Sequence, residues 1–239
     1  MNIAVIFAGG FGMRMNDESC PKQFLEFRDK PLIIYTLEQF DRHPWIDGIS
    51  IACLEDWIPY LQDLLLKFDV KKVLRIVPGG ATGQDSIYNG LLAAQEISSD
   101  ENDIVLIHDG VRPFITAQAI SDNILKVKEE GACITCARAT ETFLVGHNGD
   151  HFLLPSREDS LLARAPQSFF LKDILAGHKK AIKDGLHNFI DSCSLMDYYG
   201  YNLATVMGPV ENIKITTPLD FFLFKAIIQM RDEELPLGI

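Results

Sequence analysis

The stretch DIVLIHDGVRP, residues 103–113, decides the fold that the sequence predicts. Residues 104–107 are all aliphatic, which is typical of a strand that is covered on both faces of a parallel sheet. The run ends in Asp109 and Arg112, and polar residues beyond the carboxyl end of such a strand are typical of ligand sites in open α/β sheets. We therefore predict a central strand that leads directly into a functional site.

The sequence on both sides of this stretch alternates short β-branched runs with amphipathic segments, which predicts a mostly parallel sheet covered by helices. We predict further strands at 3–7, 48–53, 73–77, 132–137, 203–206 and 213–216, and helices at 31–40, 56–68 with Asp56 as its cap, 86–97, 116–130, 172–183, 192–199 and after Pro218. Residues 142–145 and 151–154 predict a hairpin that projects as an arm. Neither an internal repeat nor a linker is evident, so we predict one domain over residues 1–239.

Composition limits the classes of function. The chain has 33 acidic and 22 basic residues, and its net charge of −11 gives no broad positive field for nucleic acid or an anionic membrane. The apolar run at residues 3–7 is too short for a signal peptide or a membrane span. Five cysteines, an odd number without secretory context, favour a reducing compartment. We therefore expect a cytoplasmic protein that binds any phosphate through local donors.

Two glycine-rich loops follow predicted strands. The first is AGGFG at residues 8–12, and the second is GGATGQDS at residues 79–86, with a hydroxyl at a helix start. Glycines let backbone N–H groups approach an anion, and Arg14 and Lys22 add cations beside the first loop. The first loop departs from the dinucleotide fingerprint, because Met15 stands where a third glycine is needed. The alternative interpretations are a tight turn for the first loop, a solvated surface lysine for Lys22, and an ordinary loop with a helix cap for the second loop.

Three charged residues outside these loops are candidates for phosphate chemistry. Asp109 at the end of its strand is a natural Mg²⁺ ligand, because this cation prefers carboxylate and phosphate oxygens. An ion pair between Asp109 and Arg112 is the alternative. Lys214 lies between two aliphatic residues of a predicted strand, so alternation places it on the opposite face, where it is either exposed or aimed at a ligand.

Five segments, spread over nearly the whole chain, together resemble the cytidylyltransferases that act on sugar-alcohol phosphates. That family includes enzymes for 2-C-methyl-D-erythritol 4-phosphate and for D-ribitol 5-phosphate. The segments are FAGGFGMRM at 7–15, CPKQF at 20–24, GGATGQDS at 79–86, HDGVRP at 108–113 and NIKIT at 212–216. The resemblance implies a Rossmann-like nucleotidyltransferase fold and a homodimer built partly by the arm, at about residues 139–160.

The same resemblance implies the substrates and the catalytic residues. CTP and a polyol phosphate would be the substrates, and Mg²⁺, bound near Asp109, would be the cofactor. Arg14 and Lys22 would stabilise the charge of the transition state, and Lys214 would bind the reacting phosphates. A covalent nucleophile is not needed for this reaction.

The resemblance also implies which residues bind each substrate. Arg112 would lie near the acceptor, and Lys214 would contact its phosphate. Thr140 and Arg157 of the arm would contact the acceptor phosphate in the neighbouring subunit. The residues that would bind the nucleotide are Phe7, Ala8, Gly9, Gly10, Phe11, Gly12, Gly79, Gly80, Ala81, Asp85, Ser86 and Gly110.

Three positions depart from the family pattern. Gly83 stands where the family usually has arginine, and Ala165 and Ile190 stand where it commonly has threonine. The two threonine positions are expected near the acceptor's hydroxyls, and loss of hydrogen-bonding groups there can change the acceptor without changing the reaction. Residues 55–57 and 111–116 are more similar to the ribitol-phosphate branch. We therefore expect D-ribitol 5-phosphate as the acceptor, with 2-C-methyl-D-erythritol 4-phosphate as the alternative.

Two functions outside the transferase class remain open at this point. The three departures are compatible with a nucleotide-binding protein that has lost turnover. An NAD-linked reductase is disfavoured by Met15 and by the lack of a clear acidic ribose ligand after the second strand, where Glu55 is the nearest candidate.

Overall fold

The computed structural model describes residues 1–10, 20–147 and 151–232. Its strands are β1 (Asn2–Ala8), β2 (Glu26–Phe27), β3 (Lys30–Pro31), β4 (Gly48–Cys53), β5 (Val73–Pro78), β6 (Ile104–Asp109), β7 (Ala132–Arg138), β8 (Val145–His147), β9 (His151–Leu153), β10 (Leu161–Phe170) and β11 (Ala204–Met207). Within the described residues, seven of these strands form one sheet in the order β11-β7-β10-β6-β1-β4-β5. The other four form two small antiparallel pairs, β2 with β3 and β8 with β9.

The central position predicted for the aliphatic strand is confirmed. β6 is the fourth of the seven strands and is buried at every residue. Neighbouring strands are parallel except that β10 runs antiparallel to both β6 and β7. The prediction of a mostly parallel sheet is therefore confirmed, and β1, β4, β5 and β6 end at the same edge.

Helices cover both faces of the sheet. They are α1 (Leu32–Asp41), α2 (Ile58–Lys67), α3 (Gly83–Ile97), α4 (Ala117–Glu130), α5 (Leu171–Lys183), α6 (Ser192–Tyr198) and α7 (Pro218–Asp232). Alternate residues of β1 point to opposite faces: Ala4 and Ile6 pack with α1, α2 and α4, whereas Ile3 and Val5 pack with α3, α5 and α6. The two apolar layers fix the sheet from both sides and so fix the positions of its strand ends. None of these helices, within the described part of the chain, is long and apolar enough to cross a membrane.

Two predicted helix starts differ from the structure. α3 begins three residues earlier than predicted, because Thr82 and Asp85 form a reciprocal cap. The Thr82 hydroxyl accepts a hydrogen bond from the Asp85 backbone N–H at 3.1 Å, and the Asp85 carboxylate accepts one from the Thr82 N–H at 3.1 Å. The predicted cap Asp56 was wrong, since it lies inside a 3₁₀ turn at Glu55–Trp57 and α2 begins after that turn without a side-chain cap.

The second half of the chain contains two larger differences. β10 was not predicted, because its sequence includes Arg164 and Pro166, which interrupt a strand pattern. The strand predicted at 213–216 is wrong, because these residues form an irregular segment. Ile215 still anchors that segment: it is fully buried, and its backbone N–H donates to the Val111 carbonyl at 3.0 Å. The predicted hairpin arm is present as the shorter pair β8 and β9.

Candidate active site

The first cavity opens where β1, β5 and β6 end. Its walls come from the loops after these strands and from two lysines that approach from other parts of the chain. The lining residues are Phe7, Ala8, Gly9, Gly10, Lys22, Gln23, Gly80, Ala81, Thr82, Gly83, Ser86, Asp109, Val111 and Lys214. Three parallel strand ends and the N-terminus of α3 therefore meet at one point, as expected for a phosphate site in this class of fold.

The two glycine loops pack directly against each other. A Cβ added to Gly79 would lie 3.0 Å from the Gly9 Cα, and one added to Gly9 would lie 2.7 Å from the Ser86 Oγ. The Ser86 hydroxyl holds the second loop in place, because it accepts from the Gly80 N–H at 3.0 Å and donates to the Thr82 carbonyl at 2.9 Å. Side chains at these glycines would push the loops apart and open the cavity wall.

Lys22 reaches the cavity from a 3₁₀ turn at Lys22–Phe24. The turn is attached to the end of β1, since the buried Gln23 side chain donates to the Ala8 carbonyl at 2.7 Å. Phe24 anchors its other side by stacking on Trp57 with 4.8 Å between ring centroids. These two contacts place a lysine beside the first glycine loop, as the sequence predicts.

Asp109 joins the two other cations of the site. Its carboxylate accepts from the Arg112 Nε at 2.6 Å and pairs with the Lys214 Nζ at 2.5 Å. Burial alone would raise the pKa of Asp109, but the charges of Lys214 and Arg112, with their hydrogen bonds, lower it to about 2. Asp109 is therefore ionised at neutral pH, and the alternative ion pair with Arg112 is present in the structure.

Buried partners hold Arg112 in this position. Its second contact is a hydrogen bond to the Asn212 carbonyl at 2.9 Å, two residues before Lys214. The ring of His108, fully buried, contacts the Arg112 carbonyl at 3.0 Å, and burial lowers the pKa of His108 to about 4. The imidazole is therefore neutral at pH 7 and adds no charge to the site.

Asp109 would be the residue that holds a magnesium ion shared with a substrate, because its two oxygens offer about four lone-pair sites and Arg112 and Lys214 use two of them. In the part of the chain that the structure describes, no cluster of three or more His, Cys, Asp or Glu side chains could enclose a metal. A single ionised carboxylate beside a phosphate cavity suits Mg²⁺, which usually keeps waters and binds one or two carboxylates together with substrate phosphates.

A second cavity adjoins the first. The two share Phe7, Gly83, Asp109 and Lys214, so a ligand in one can contact a ligand in the other. The remaining walls of the second cavity are Ile87, Ile107, Arg112, Ala163, Arg164, Ala165, Gln167, Ile190, Asp191 and Ser192. All three departures from the family pattern lie in it: Gly83 is shared, and Ala165 and Ile190 face only this side.

Several predicted site residues lie outside both cavity walls. Gly79, Asp85 and Gly110 are behind the first cavity, where Gly79 packs against Gly9, Asp85 caps α3, and the Gly110 N–H donates to the Phe7 carbonyl at 3.0 Å. Thr140 and Arg157 of the arm are exposed in this single chain. Phe11, Gly12 and Arg14 fall among residues 11–19, outside the described residues. Their contacts with ligands stay predictions.

The sequence patterns did not indicate much of the second cavity. Arg164, Gln167, Asp191 and Ser192 line it, and none of them was a candidate site residue. Arg164 and Gln167 lie on the strand β10, which was not predicted, and Asp191 precedes the short helix α6, whose N-terminus it caps. A useful signal was that Ala165 and Ile190, the two missing threonines, lie next to Arg164 and Asp191 in the sequence.

Comparison with known proteins places this geometry in a family. Residues 2–230 match the family model described as 2-C-methyl-D-erythritol 4-phosphate cytidylyltransferase, IspD. The chain is 52% identical to a ribitol-5-phosphate cytidylyltransferase of Vibrio parahaemolyticus, over 97% of this chain and 98% of that protein. It is 47% identical over the full length of both chains to a ribitol-5-phosphate cytidylyltransferase of Streptococcus agalactiae. It is 38% identical to a 2-C-methyl-D-erythritol 4-phosphate cytidylyltransferase of Clostridium botulinum, over 95% and 97% of the two chains.

Solved structures agree with the sequence relatives. The 4-diphosphocytidyl-2C-methyl-D-erythritol synthase of Anaerococcus prevotii superposes with a TM-score of 0.82 at 28% identity, over 95% of this chain and 96% of that one. The 2-C-methyl-D-erythritol 4-phosphate cytidylyltransferase of Thermus thermophilus superposes with a TM-score of 0.74 at 25% identity, over 96% and 100%. The chain belongs to the 2-C-methyl-D-erythritol 4-phosphate cytidylyltransferase (IspD) family of enzymes.

Proposed function

We propose that this protein transfers CMP from CTP to D-ribitol 5-phosphate, giving a CDP-ribitol and pyrophosphate. Relatives named for ribitol 5-phosphate are 47% and 52% identical to the chain, against 38% for the relative named for 2-C-methyl-D-erythritol 4-phosphate. The observation that carries the acceptor is the position of Ala165 and Ile190, because both line the cavity beside the site of phosphate transfer. The methylerythritol phosphate enzyme is the alternative.

CTP occupies the first cavity in this proposal. Backbone groups of the two glycine loops and the N-terminus of α3 bind the triphosphate, since the positive end of a helix favours phosphate. Gly83, at the first position of α3, leaves that end without the arginine that the family usually has. Lys22 and, from the sequence, Arg14 then supply the cations next to the triphosphate.

The reaction needs a phosphate oxygen of the acceptor to attack the α-phosphorus of CTP in line. A new P–O bond forms, the bond to the β-phosphate breaks, and pyrophosphate leaves. Both reactants are anionic, so the cations of the site must offset their repulsion and the charge that grows on the bridging oxygens. Lys22 and Lys214 serve this purpose from the wall of the first cavity, and Arg112 faces the acceptor from the wall of the second.

Asp109 is the residue that holds Mg²⁺ in this proposal. Its carboxylate stays ionised at neutral pH, because Lys214 and Arg112 lower its pKa to about 2 after burial has raised it. When bound, Mg²⁺ supplies charge neutralisation at the phosphate oxygens. Asp109 also keeps Arg112 and Lys214 at the boundary between the two cavities, where the two phosphates must meet.

The protein acts as a homodimer in this proposal, with the arm at the interface. The arm carries an unusual number of exposed apolar side chains, from 37% to 72% accessible, and such patches favour protein contacts. They are Phe143, Leu144, Val145, Phe152, Leu153 and Leu154. Thr140 and Arg157 are exposed at the base of the same segment, and the partner's acceptor cavity is the site they would complete.

We place the enzyme in the cytoplasm, where CTP is made. All five cysteines lie in the described residues and none forms a disulfide. Four of them are buried, and burial raises the pKa of Cys53 and of Cys133 to about 12, so these thiols are unreactive. A reducing compartment suits such a set of cysteines.

An acceptor panel tests the proposed reaction. Pyrophosphate release from CTP is measured with Mg²⁺ and D-ribitol 5-phosphate, 2-C-methyl-D-erythritol 4-phosphate, D-erythritol 4-phosphate or glycerol 3-phosphate. We expect the highest kcat/KM with D-ribitol 5-phosphate. A higher value with the methylerythritol phosphate would overturn the acceptor, and CTP binding without release from any acceptor would favour a binding protein.

A further inference from the structure

Arg164 lies on an irregular part of β10. Residues 161–163 pair with β7 in one register and residues 167–169 in another, because four steps along β10 oppose only two steps along β7. Residues 164–166 oppose the single residue Thr135 of β7 and form a bulge beyond the point where β10 pairs with β6. The bulge turns both Arg164 and Ala165 towards the second cavity, whereas a regular strand would direct one of them away.

Buried hydrogen bonds fix this bulge next to the other cations. The side chain of Asn212, which is fully buried, donates to the Ala165 carbonyl at 2.7 Å. The carbonyl of the same Asn212 accepts from Arg112 at 2.9 Å. Asn212 therefore connects the residue after Arg164 to Arg112, and it holds two guanidinium groups on the walls of one cavity.

The Arg164 side chain makes no hydrogen bond or ion pair with any residue that the structure describes, and its Nε is buried without a partner. Burial and then the charge of Arg112 lower the pKa of Arg164. A guanidinium stays charged in proteins even so, and a buried donor without a partner is costly. The cavity therefore contains a positive charge that lacks compensation.

The carboxylates of this cavity are already engaged. Both oxygens of Asp109 are paired with Arg112 and Lys214. Asp191 accepts from the Gln167 side chain at 2.9 Å through one oxygen, and from the Ser194 N–H at 2.8 Å and hydroxyl at 2.7 Å through the other. An anion that enters the cavity would give Arg164 the charged partner that these carboxylates do not provide.

We propose that Arg164 binds the phosphate of the acceptor and is a substrate-binding residue of this enzyme. The proposal rests on the proposed function, because that reaction brings a phosphate monoester into the second cavity. A phosphate between Arg164 and Arg112 would offset the repulsion of the two cations, and a guanidinium can hold two phosphate oxygens at once. Arg164 adds a contact from the chain's own subunit to those predicted for the arm.

Steady-state kinetics of Arg164→Gln and Arg164→Lys test the assignment. We expect Arg164→Gln to raise the KM for D-ribitol 5-phosphate by roughly 10- to 100-fold, the range of a lost hydrogen bond to a charged group, with kcat and the KM for CTP within about threefold of wild type. Arg164→Lys should restore part of the affinity, because it returns the charge without the planar fork. Arg75→Gln, an exposed arginine on the edge strand β5, is the matched control and should change nothing.

Inorganic phosphate separates phosphate binding from binding of the polyol. Phosphate is titrated as a competitive inhibitor against the acceptor at saturating CTP, and its inhibition constant should rise in Arg164→Gln by about the same factor as the KM. If the KM rises while phosphate inhibits as in the wild type, Arg164 contacts hydroxyls and the proposal is wrong. An unchanged KM in Arg164→Gln would also overturn it.

The same measurements distinguish an error in the proposed acceptor from an error in the role of Arg164. If the wild type turns over 2-C-methyl-D-erythritol 4-phosphate better than D-ribitol 5-phosphate, the acceptor assignment fails, but Arg164→Gln should still weaken inhibition by inorganic phosphate. Thermal unfolding of each variant checks that the fold is intact. If Arg164→Gln loses stability and Arg164→Lys does not, the kinetic comparison is made with Arg164→Lys. A wild-type KM for the acceptor and a wild-type inhibition constant for phosphate in Arg164→Lys would then contradict a bidentate phosphate contact.

Discussion

At the scale of single residues, Lys22 is the cation whose function can be measured most cleanly. It sits on a turn that is attached to β1 through Gln23 and stacked on Trp57 through Phe24, so removing its side chain beyond Cβ leaves those anchors in place. Its charge matters most when the α-phosphate becomes crowded in the transition state.

We therefore expect Lys22→Ala to lower kcat by about 100-fold or more, comparable to the loss of one preorganised oxyanion donor, with a much smaller effect on CTP affinity. The measurements are steady-state pyrophosphate release and equilibrium binding of CTP. Lys179→Ala, an exposed lysine on α5, is the control. Near-normal turnover of Lys22→Ala would show that this lysine is not catalytic.

Ile190 tests acceptor choice at the same scale. Its side chain is 95% exposed and lines the second cavity, so threonine can replace it without a packing penalty. Ile190→Thr restores the hydroxyl that the family commonly has there, and one hydrogen bond is worth a few-fold to about tenfold in binding. We expect the kcat/KM ratio of methylerythritol phosphate to ribitol phosphate to rise by that factor. An unchanged ratio in Ile190→Thr would show that Ile190 does not affect the choice of acceptor.

At the scale of secondary-structure elements, the contact between α3 and α5 contains a buried histidine. His178 of α5 stacks on Tyr88 of α3 with 5.4 Å between ring centroids, and neither ring nitrogen has a hydrogen-bond partner among the described residues. Burial lowers the pKa of His178 from 6.5 to about 4. Between these values the unfolded chain binds the proton and the folded chain does not, so stability falls as the pH falls.

This contact predicts a pH dependence that one substitution removes. Between pH 7 and pH 5, protonation of His178 in the unfolded chain should lower the free energy of unfolding by about 2 kcal/mol. His178→Phe should remove this part of the decrease, because phenylalanine keeps the ring that stacks on Tyr88 but does not titrate. Urea unfolding at both pH values measures it, with the exposed His187→Phe as control. Burial also lowers the pKa of His108 to about 4, so part of the pH dependence of stability remains in His178→Phe. An identical slope in wild type and His178→Phe would contradict this account.

Elements with one dominant physical signal were predictable from the sequence. The aliphatic residues 104–107 predicted the central strand β6, and the loops after β1 and β5 were recognised from their glycines. β10 could not be recognised, because its bulge holds Arg164 and Pro166 and its partners β6 and β7 are distant in sequence. The half of the site that depends on β10 was therefore recognised only through Ala165.

Lys214 shows how a correct position can follow from a wrong element. The sequence predicted a strand at 213–216, and the residues are irregular, yet Ile215 is buried under α7 and Lys214 turns to Asp109. Alternation of apolar and polar residues predicted which side chain faces the site, because burial of the isoleucine is sufficient to orient its neighbour. Alternation could not predict whether the backbone of residues 213–216 forms hydrogen bonds with a neighbouring strand.

At the scale of the whole molecule, the exposed apolar arm predicts a dimer with shared sites. Arg157→Ala should mainly raise the KM for the polyol phosphate and leave CTP binding nearly intact, since an arginine can hold a phosphate through two hydrogen bonds. The measurement is made at acceptor concentrations too low for Arg157→Ala to turn over. Mixing that variant with Lys22→Ala should then partly restore activity, because one site of a mixed dimer has both wild-type residues.

The mixed dimer distinguishes a shared site from a site within one chain. If Arg157 acts in its own subunit, every site of the mixed dimer carries one of the two lesions and activity does not return. Exchange of subunits is verified by native mass spectrometry of differently tagged chains. Absence of recovery after verified exchange would contradict the shared site.

The most direct test of the proposed activity is a competition between the two named acceptors. Equal concentrations of D-ribitol 5-phosphate and 2-C-methyl-D-erythritol 4-phosphate are incubated with limiting CTP and Mg²⁺, and the two CDP-polyols are quantified by mass spectrometry. The product ratio equals the ratio of the two kcat/KM values, because both acceptors compete for one site. We predict that CDP-ribitol is the main product, and a larger amount of the CDP-methylerythritol, or no CDP-polyol from either acceptor, would contradict the proposed function.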